Sequence, residues 1–173
     1  LILTACRSGD VRGAQWGEFD LDERLWTIPA SRIKAGREHQ IPLSDAAVRV
    51  VEALPKVSNI VFPGTRGQPL SDMTLTAVIR RMRKDDLSDW VDTDGARITV
   101  HGFRTTFRMW AAEMTDYPRE VAEHSLAHQL PDAVERAYQR GSHFTKRTSL
   151  MADWANYCAT DRSASSAQAK NFS

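Results

Sequence analysis

The sequence predicts a mainly helical α+β domain carrying one small antiparallel sheet. Apolar residues recur at helical spacing in several separate segments of the 173-residue chain. Only two neighbouring runs, Arg24–Ile28 and Glu38–Leu43, have strand composition, and a short polar loop containing Gly36 lies between them. With 42% hydrophobic residues and no internal repeat, the chain is long enough to bury one real core.

Taken in order, Leu1–Thr4 reads as the tail of a helix, because the chain opens abruptly on apolar residues with no starting Met. Arg7–Trp16 reads as a turn followed by a short helix. The runs 24–28 and 38–43 form a hairpin with Lys34 close to its tip, and Pro29 and Pro42 suit strand ends or edges. Ser44–Leu54 is a helix that Ser44 or Asp45 can cap, with Ala47, Val48, Val51 and Leu54 as its apolar stripe. Turn residues fill 61–69. Ser71 to about Lys84 is a second helix, with Leu75, Val78, Ile79 and Met82 on one side and Arg80, Arg81, Arg83 and Lys84 on the other. Such a basic face suits a DNA backbone and equally suits solvent. Asp85–Gly95 is acid-rich but lacks the spacing and closing Glu of a Ca²⁺ loop, so it reads as an exposed connector. Phe103, Phe107, Trp110, Ala111 and Met114 mark the next helix, with Thr99 as N-cap. Short helices over 118–124 and 131–140 follow, separated by a turn at Ser125–Leu130. Thr145–Cys158 is the last helix, with Leu150, Met151, Trp154, Tyr157 and Cys158 on one face. One domain over 1–160 and a disordered polar tail over 161–173 complete the expected organisation.

The charge pattern narrows the function. A net charge of +1 excludes a generally cationic protein, so any nucleic-acid surface must be a local patch. Lys is confined to positions 34, 56, 84, 146 and 170, so Arg dominates the cations, as phosphate contact favours. Arg-rich codon usage accounts for that bias equally well. Cys6 and Cys158 form neither a metal pattern nor a disulfide framework, which fits a reducing cytoplasm. No stretch approaches the roughly 18 apolar residues of a membrane span.

One motif calls for a ligand. His101 and Arg104 lie three residues apart at the start of a helix, where free N–H groups and the helix dipole favour an anion. An imidazole and a guanidinium aimed at one anion suggest a phosphate. Alone the pair is weak evidence, since His-x-x-Arg is common by chance.

The rest of the chain supplies partners in a fixed order: Arg7, Lys34, His101-x-x-Arg104, His128 and Tyr138. This set resembles the catalytic domain of the tyrosine recombinases, the phage integrases. The segment around Arg7 with Asp10 three residues on, and Trp16-Gly17-Glu18-Phe19-Asp20 after it, is similar to the family's first-arginine region. Ile33-Lys34 through Pro42-Leu43-Ser44 resembles the lysine hairpin and its exit. Leu126-Ala127-His128 resembles the Leu-[Gly/Ala]-His box, and Ala137-Tyr138-Gln139-Arg140 the nucleophile segment. The Leu-Ala-His form and Met151-x-x-Trp154-x-x-Tyr157 look most like integrases of prophages and genomic islands.

The resemblance implies a tyrosine recombinase catalytic fold, truncated at its N-terminus, without the core-binding domain that precedes it in the family. It implies metal- and ATP-independent DNA strand transfer for integration or excision of a mobile element. Tyr138 attacks phosphorus to form a 3′-phosphotyrosyl intermediate, and Arg7 and Arg104 neutralise the non-bridging oxygens. His101 and His128 add hydrogen bonds, with one of them available to accept the nucleophile's proton. Lys34 protonates the leaving 5′-oxygen; it is preferred to Arg32 and Arg37 because Lys can give up a proton. Asp10 supports the site from behind, and no cofactor or metal is called for. The implied partners are double-stranded DNA at attachment sites, a homotetramer assembled on that DNA from monomers, and an accessory DNA-bending protein. The setting is the cytoplasm, with no membrane involved.

Other readings stand beside this one. A catalytically inactive DNA-binding prophage remnant would share the resemblance. His124 and His128 are spaced as zinc ligands on a helix, although the Glu of His-Glu-x-x-His is missing. His39 and His143 read as surface residues, and Tyr117 and Tyr157 as packing. The last helix can dock on its own domain or on a neighbouring subunit.

Overall fold

The computed structural model describes residues 1–33, 36–85, 91, 95–128 and 143–160. Among them are six α-helices and one three-stranded sheet. Helix α1 (Ser8–Arg12) follows a 3-10 turn at Ile2–Thr4, and a second 3-10 turn at Trp16–Glu18 leads into strand β1 (Phe19–Asp20). The sequence suggested a turn and then a helix over 7–16. The order is reversed, because Arg7 is itself the N-cap and the helix ends at Gly13. A side chain at Gly13 would collide with the Arg32 guanidinium, which donates to the Asp10 carbonyl at 2.7 Å. Arg32 also pairs with Glu18, so one arginine fastens the sheet to α1.

Strands β2 (Leu25–Ile28) and β3 (His39–Pro42) form the predicted hairpin, and β1 adds a third antiparallel strand in the order β1-β2-β3. Pro42 ends the edge strand, where its missing N–H costs no ladder bond. The register Ile28↔His39 and Trp26↔Ile41 sets these four side chains on one face of the sheet. Ile28, Trp26 and Ile41 are fully buried, so this is the core face. Helix α2 (Asp45–Glu52) begins as expected, with the Ser44 hydroxyl accepting from the Ala47 N–H at 3.3 Å.

Two apolar clusters form the interior. One joins the sheet to α1 and α2 through Val11, Trp26, Ile28, Ile41, Leu43, Ala47 and Val51. The other joins α4 (Gly102–Glu113), α5 (Arg119–Ser125) and α6 (Phe144–Ala159) through Phe107, Trp110, Val121, Leu126, Leu150, Met151 and Trp154. The chain crosses between them at consecutive residues, Ala5 in the helical cluster and Cys6 in the sheet cluster. Helix α6 docks on its own domain: Trp154 donates to the Ile2 carbonyl at 2.9 Å and stacks against Tyr157. Tyr117 and Tyr157 pack against this cluster, as expected.

Two apolar expectations are corrected, and a third is specified further. Met114 lies just beyond α4 as its C-cap and is 61% exposed, so the helix ends before it reaches the core. Cys158 is exposed, and Ala155 takes the buried position on α6. The stripe of α3 (Thr74–Asp85) does not reach the sheet core: Leu75, Val78, Ile79 and Met82 line an apolar cavity of about 570 Å³ shared with Leu3, Val51 and Phe103. Arg80 and Arg81 on its other side are exposed. The expected helix at 131–140 and the tail at 161–173 lie outside the described residues, as does most of the acidic connector. No described helix is long and apolar enough to cross a membrane.

Candidate active site

The site begins with how α5 stops. Ala127 takes a left-handed backbone at φ 51°, the conformation that ends a helix by turning its last carbonyls outward. The His128 N–H bonds the Glu123 carbonyl at 3.0 Å and the Ala127 N–H bonds the His124 carbonyl at 3.1 Å, which together form a Schellman motif. This explains the small residue inside Leu126-Ala127-His128, because a larger or branched side chain resists positive φ.

Two consecutive carbonyls of this turn receive arginines from two distant elements. Arg104, in the first turn of α4, donates to Leu126 at 2.8 Å. Arg7, the N-cap of α1, reaches Ala127 at 3.4 Å. The negative end of a helix favours cationic donors. Arg104 also donates to the Ala5 carbonyl, two residues before Arg7, so both guanidinium groups are placed by the same crossing of the chain.

The two arginines have different surroundings. Arg104 is 6% exposed, whereas Arg7 is open to solvent. Burial and then the Arg7 charge lower the Arg104 pKa, while Cys6 and Asp10 act in the opposite direction. Asp10 therefore acts on Arg104 through its field, and neither arginine forms a salt bridge among the described residues. Two positive groups held together without a carboxylate make a receptor for an anion.

His128 completes the arrangement. Its Nδ1 lies 2.7 Å from Glu123 Oε2 and its Nε2 lies 3.3 Å from Arg104 Nη2. The partners assign the tautomer: Nδ1–H donates to the carboxylate, and Nε2 accepts from the guanidinium. Glu123 is 5% exposed and also takes Arg108 at 2.8 Å. Burial raises the Glu123 pKa, but the hydrogen bonds from His128 and Arg108 outweigh it, and the net shift is downward. The guanidinium beside Nε2 also opposes a cation there, which counts against the zinc reading of His124 and His128. His124 instead lies against His143, with ring centroids 5.5 Å apart.

His101 occupies the N-cap of α4 and is exposed. Thr99 performs the expected capping from two residues earlier, its hydroxyl accepting from the Gly102 N–H at 3.0 Å. Among the described residues, the His101 ring takes no hydrogen-bond partner. Arg7, Arg104 and His128 thus converge on one turn, with Asp10 behind them. Lys34 and Tyr138 lie outside the described residues.

Sequence reasoning missed one member and misjudged the burial of a neighbour. Glu123 shows only as one acid among several, although an acid on the last helical turn before His128 is a signal for an orienting partner. His39 was read as a surface residue; it is half-buried on the core face of the sheet. The alternation from Ile41 back to His39 carries that information.

The phage integrase family profile matches residues 1–143, the span that contains all of these groups. The chain belongs to the phage integrase family. It is 31% identical over 160 residues to prophage integrase IntA of Escherichia coli (strain K12), covering 90% of this chain and 36% of that protein. It is likewise 31% identical over 179 residues to the integrase of Enterobacteria phage P4, covering 93% of this chain and 39% of the relative. This integrase chain therefore spans less than half the length of the curated relatives it matches. Among solved structures it resembles a lambda integrase dimer bound to a COC′ core site, with TM-score 0.56 and 21% identity over 81% of this chain and 41% of the other. A lambda integrase tetramer bound to a Holliday junction gives TM-score 0.55 and 22% identity over 76% and 39%. At those identities the structural likeness establishes the tyrosine recombinase catalytic fold.

Proposed function

We propose that this integrase chain is the catalytic part of a site-specific recombinase that cleaves and rejoins DNA through a 3′-phosphotyrosyl intermediate. The observation that carries the reading is the pair Arg7 and Arg104, brought to one turn from far apart in the sequence and left, among the described residues, without a carboxylate partner. A scissile phosphodiester supplies the missing anion. The arginines stabilise the charge that builds on its non-bridging oxygens, the role a divalent metal plays elsewhere. His128, held by Glu123 through Nδ1–H, keeps Nε2 as an acceptor and takes the proton of the nucleophile; His101 stands at the helix start beside it. Tyr138 attacks phosphorus, the P–O5′ bond breaks, and Lys34 gives the departing oxygen its proton. The bond energy is kept in the phosphotyrosyl ester, so a second strand's 5′-hydroxyl displaces Tyr138 without ATP. Asp10 tempers the crowding of the two arginines.

The structural relatives support partners of the same kind. Double-stranded attachment-site DNA is the substrate, and a homotetramer of otherwise monomeric subunits is the working assembly, with a DNA-bending protein as accessory. Phosphate contacts alone bind weakly and with strong salt dependence.

The test is covalent capture. Nicked duplexes carrying the attachment site, incubated with the protein in excess EDTA, yield a protein–DNA adduct that Tyr138→Phe abolishes. Absence of any adduct on the true site overturns the proposal and leaves the inactive DNA-binding remnant.

A further inference from the structure

We propose that Arg32 is a positioning residue for leaving-group protonation, fixing the chain that enters the Lys34 loop to helix α1. The proposal rests on the recombinase reading above and gives Arg32 a task different from that of Lys34. Arg32 ends the 3-10 turn Ala30–Arg32, between β2 and the loop. Its side chain is 18% exposed and that of its partner Glu18 only 8%. Nη1 donates to both Glu18 carboxylate oxygens, and Nη2 donates to the Asp10 carbonyl of α1 at 2.7 Å. Glu18 is held in turn: its Oε2 accepts from the indole N–H of buried Trp26 at 3.0 Å and from the Gln15 N–H at 3.3 Å. The Arg32 guanidinium is therefore turned toward α1 and a carboxylate, not toward a substrate.

Lys34 follows two residues later, at most about 7 Å of chain, so a shift of the anchor passes on with little slack. Ile33 between them is buried in the sheet core, but apolar packing is non-directional and does not fix orientation. Helix α1 keeps its own anchors, buried Val11 and the bond from Arg12 to the Leu70 carbonyl at 2.8 Å. Loss of the Arg32 tie thus frees the loop entrance and leaves Arg7 in place. Arginine suits the task because two nitrogens of one planar group serve a carboxylate and a carbonyl at once, whereas lysine has one nitrogen for both. Gly13 makes room for it: a Cβ there would lie 2.8 Å from Arg32 Nη2 and push the guanidinium off the Asp10 carbonyl. The backbone at Gly13, with φ −97°, is open to alanine, so space rather than conformation calls for the glycine.

The experiment compares single-turnover cleavage of two nicked attachment-site DNAs, with the ordinary 5′-oxygen or a bridging 5′-sulfur at the scissile phosphate. The proteins are wild type, Lys34→Met, Arg32→Lys and Gly13→Ala. On both DNAs Tyr138 bonds to phosphorus and the bond to the 5′ atom breaks. The oxygen needs a proton as it leaves, whereas a thiol ionises near about 8.5 and sulfur departs as thiolate without one. On oxygen DNA, Lys34→Met loses roughly 10²- to 10⁴-fold. Arg32→Lys and Gly13→Ala lose about 10- to 100-fold there, the cost of displacing a reacting group by up to about 1 Å. On sulfur DNA all three return to the wild-type rate. Wild-type cleavage of oxygen DNA by Arg32→Lys or Gly13→Ala overturns the proposal. An equal loss on both DNAs also overturns it, since partial unfolding or a displaced Arg7 slows either leaving group alike. If sulfur does not rescue Lys34→Met, the proposal falls with the acid role of Lys34, and the phosphotyrosyl reading stands. If wild type itself gives no adduct, the recombinase reading fails and takes this proposal with it.

Discussion

The sheet side and the helical side of this chain contribute equal numbers of arginines to the site and treat them in opposite ways. Arg7 comes from α1 on the sheet side, stands in solvent, and makes one long hydrogen bond. Arg104 comes from the helical side, is buried, and joins the Ala5 crossing to the α5 turn while touching His128. The same guanidinium is thus a ligand-facing charge in one place and a structural tie in the other. The helical side also buries Glu123 and Arg147, whereas the sheet side uses its largely buried Glu18–Arg32 pair to tie the sheet to α1, away from the α5 turn. Buried polar groups hold a fixed geometry only while each partner is present. Electrostatic precision therefore resides on the helical side, and exposure to the substrate on the sheet side.

The sharpest way to break this comparison is to remove each arginine. Arg104→Ala leaves two buried carbonyls unpaired, so it should lower unfolding free energy by about 2–4 kcal/mol and reduce adduct formation by roughly 10³-fold. Arg7→Ala should cost a similar factor in adduct formation while shifting stability by less than about 0.5 kcal/mol. Urea melts beside adduct assays test both, and equal stability losses would erase the distinction.

Glu123→Gln comes next. It keeps the shape and removes the charge that holds His128, Arg108 and Arg119, with an expected loss of about 1–3 kcal/mol by urea melting. Cleavage falls with it, because His128 loses its fixed tautomer.

The acid limb of stability separates the two regions further. For His39 the folded pKa is below the unfolded value of 6.5, so the unfolded chain binds its proton first. Stability is full above that value and declines as pH falls toward 4. For Glu123 the folded pKa is also depressed, so its contribution is present above about 4.5 and fades below it. Urea midpoints against pH should therefore flatten between 6.5 and 4 in His39→Gln, and below 4.5 in Glu123→Gln. Parallel curves for all three proteins would refute both assignments.

The smallest effect concerns the turn itself. Ala127→Gly relieves a left-handed backbone and should stabilise the chain by about 0.5–1 kcal/mol. Cleavage should stay unchanged, because the two carbonyls that receive the arginines keep their directions; a destabilised glycine variant would contradict the role given to the Schellman turn.

The sequence by itself determined most of the described helices, the hairpin and the family set, because period and motif order are local properties of a chain. Ser44 capping its helix, Trp154 on a buried face, and Arg7, Arg104 and His128 as a group were all legible there. Tertiary structure decided what those residues touch. Nothing local says that Met114 falls past the end of its helix, or that the stripe of α3 faces a cavity. Nothing local gives Arg104 the carbonyls of Ala5 and Leu126, or picks Glu123 from its neighbouring acids. His39 is the clearest case: its alternation with Ile41 points inward, but only the docking of α6 on β3 sets it beside the buried Arg147. Distant hydrogen bonds depend on where two elements meet, and that is set by the two apolar cores together rather than by either segment alone.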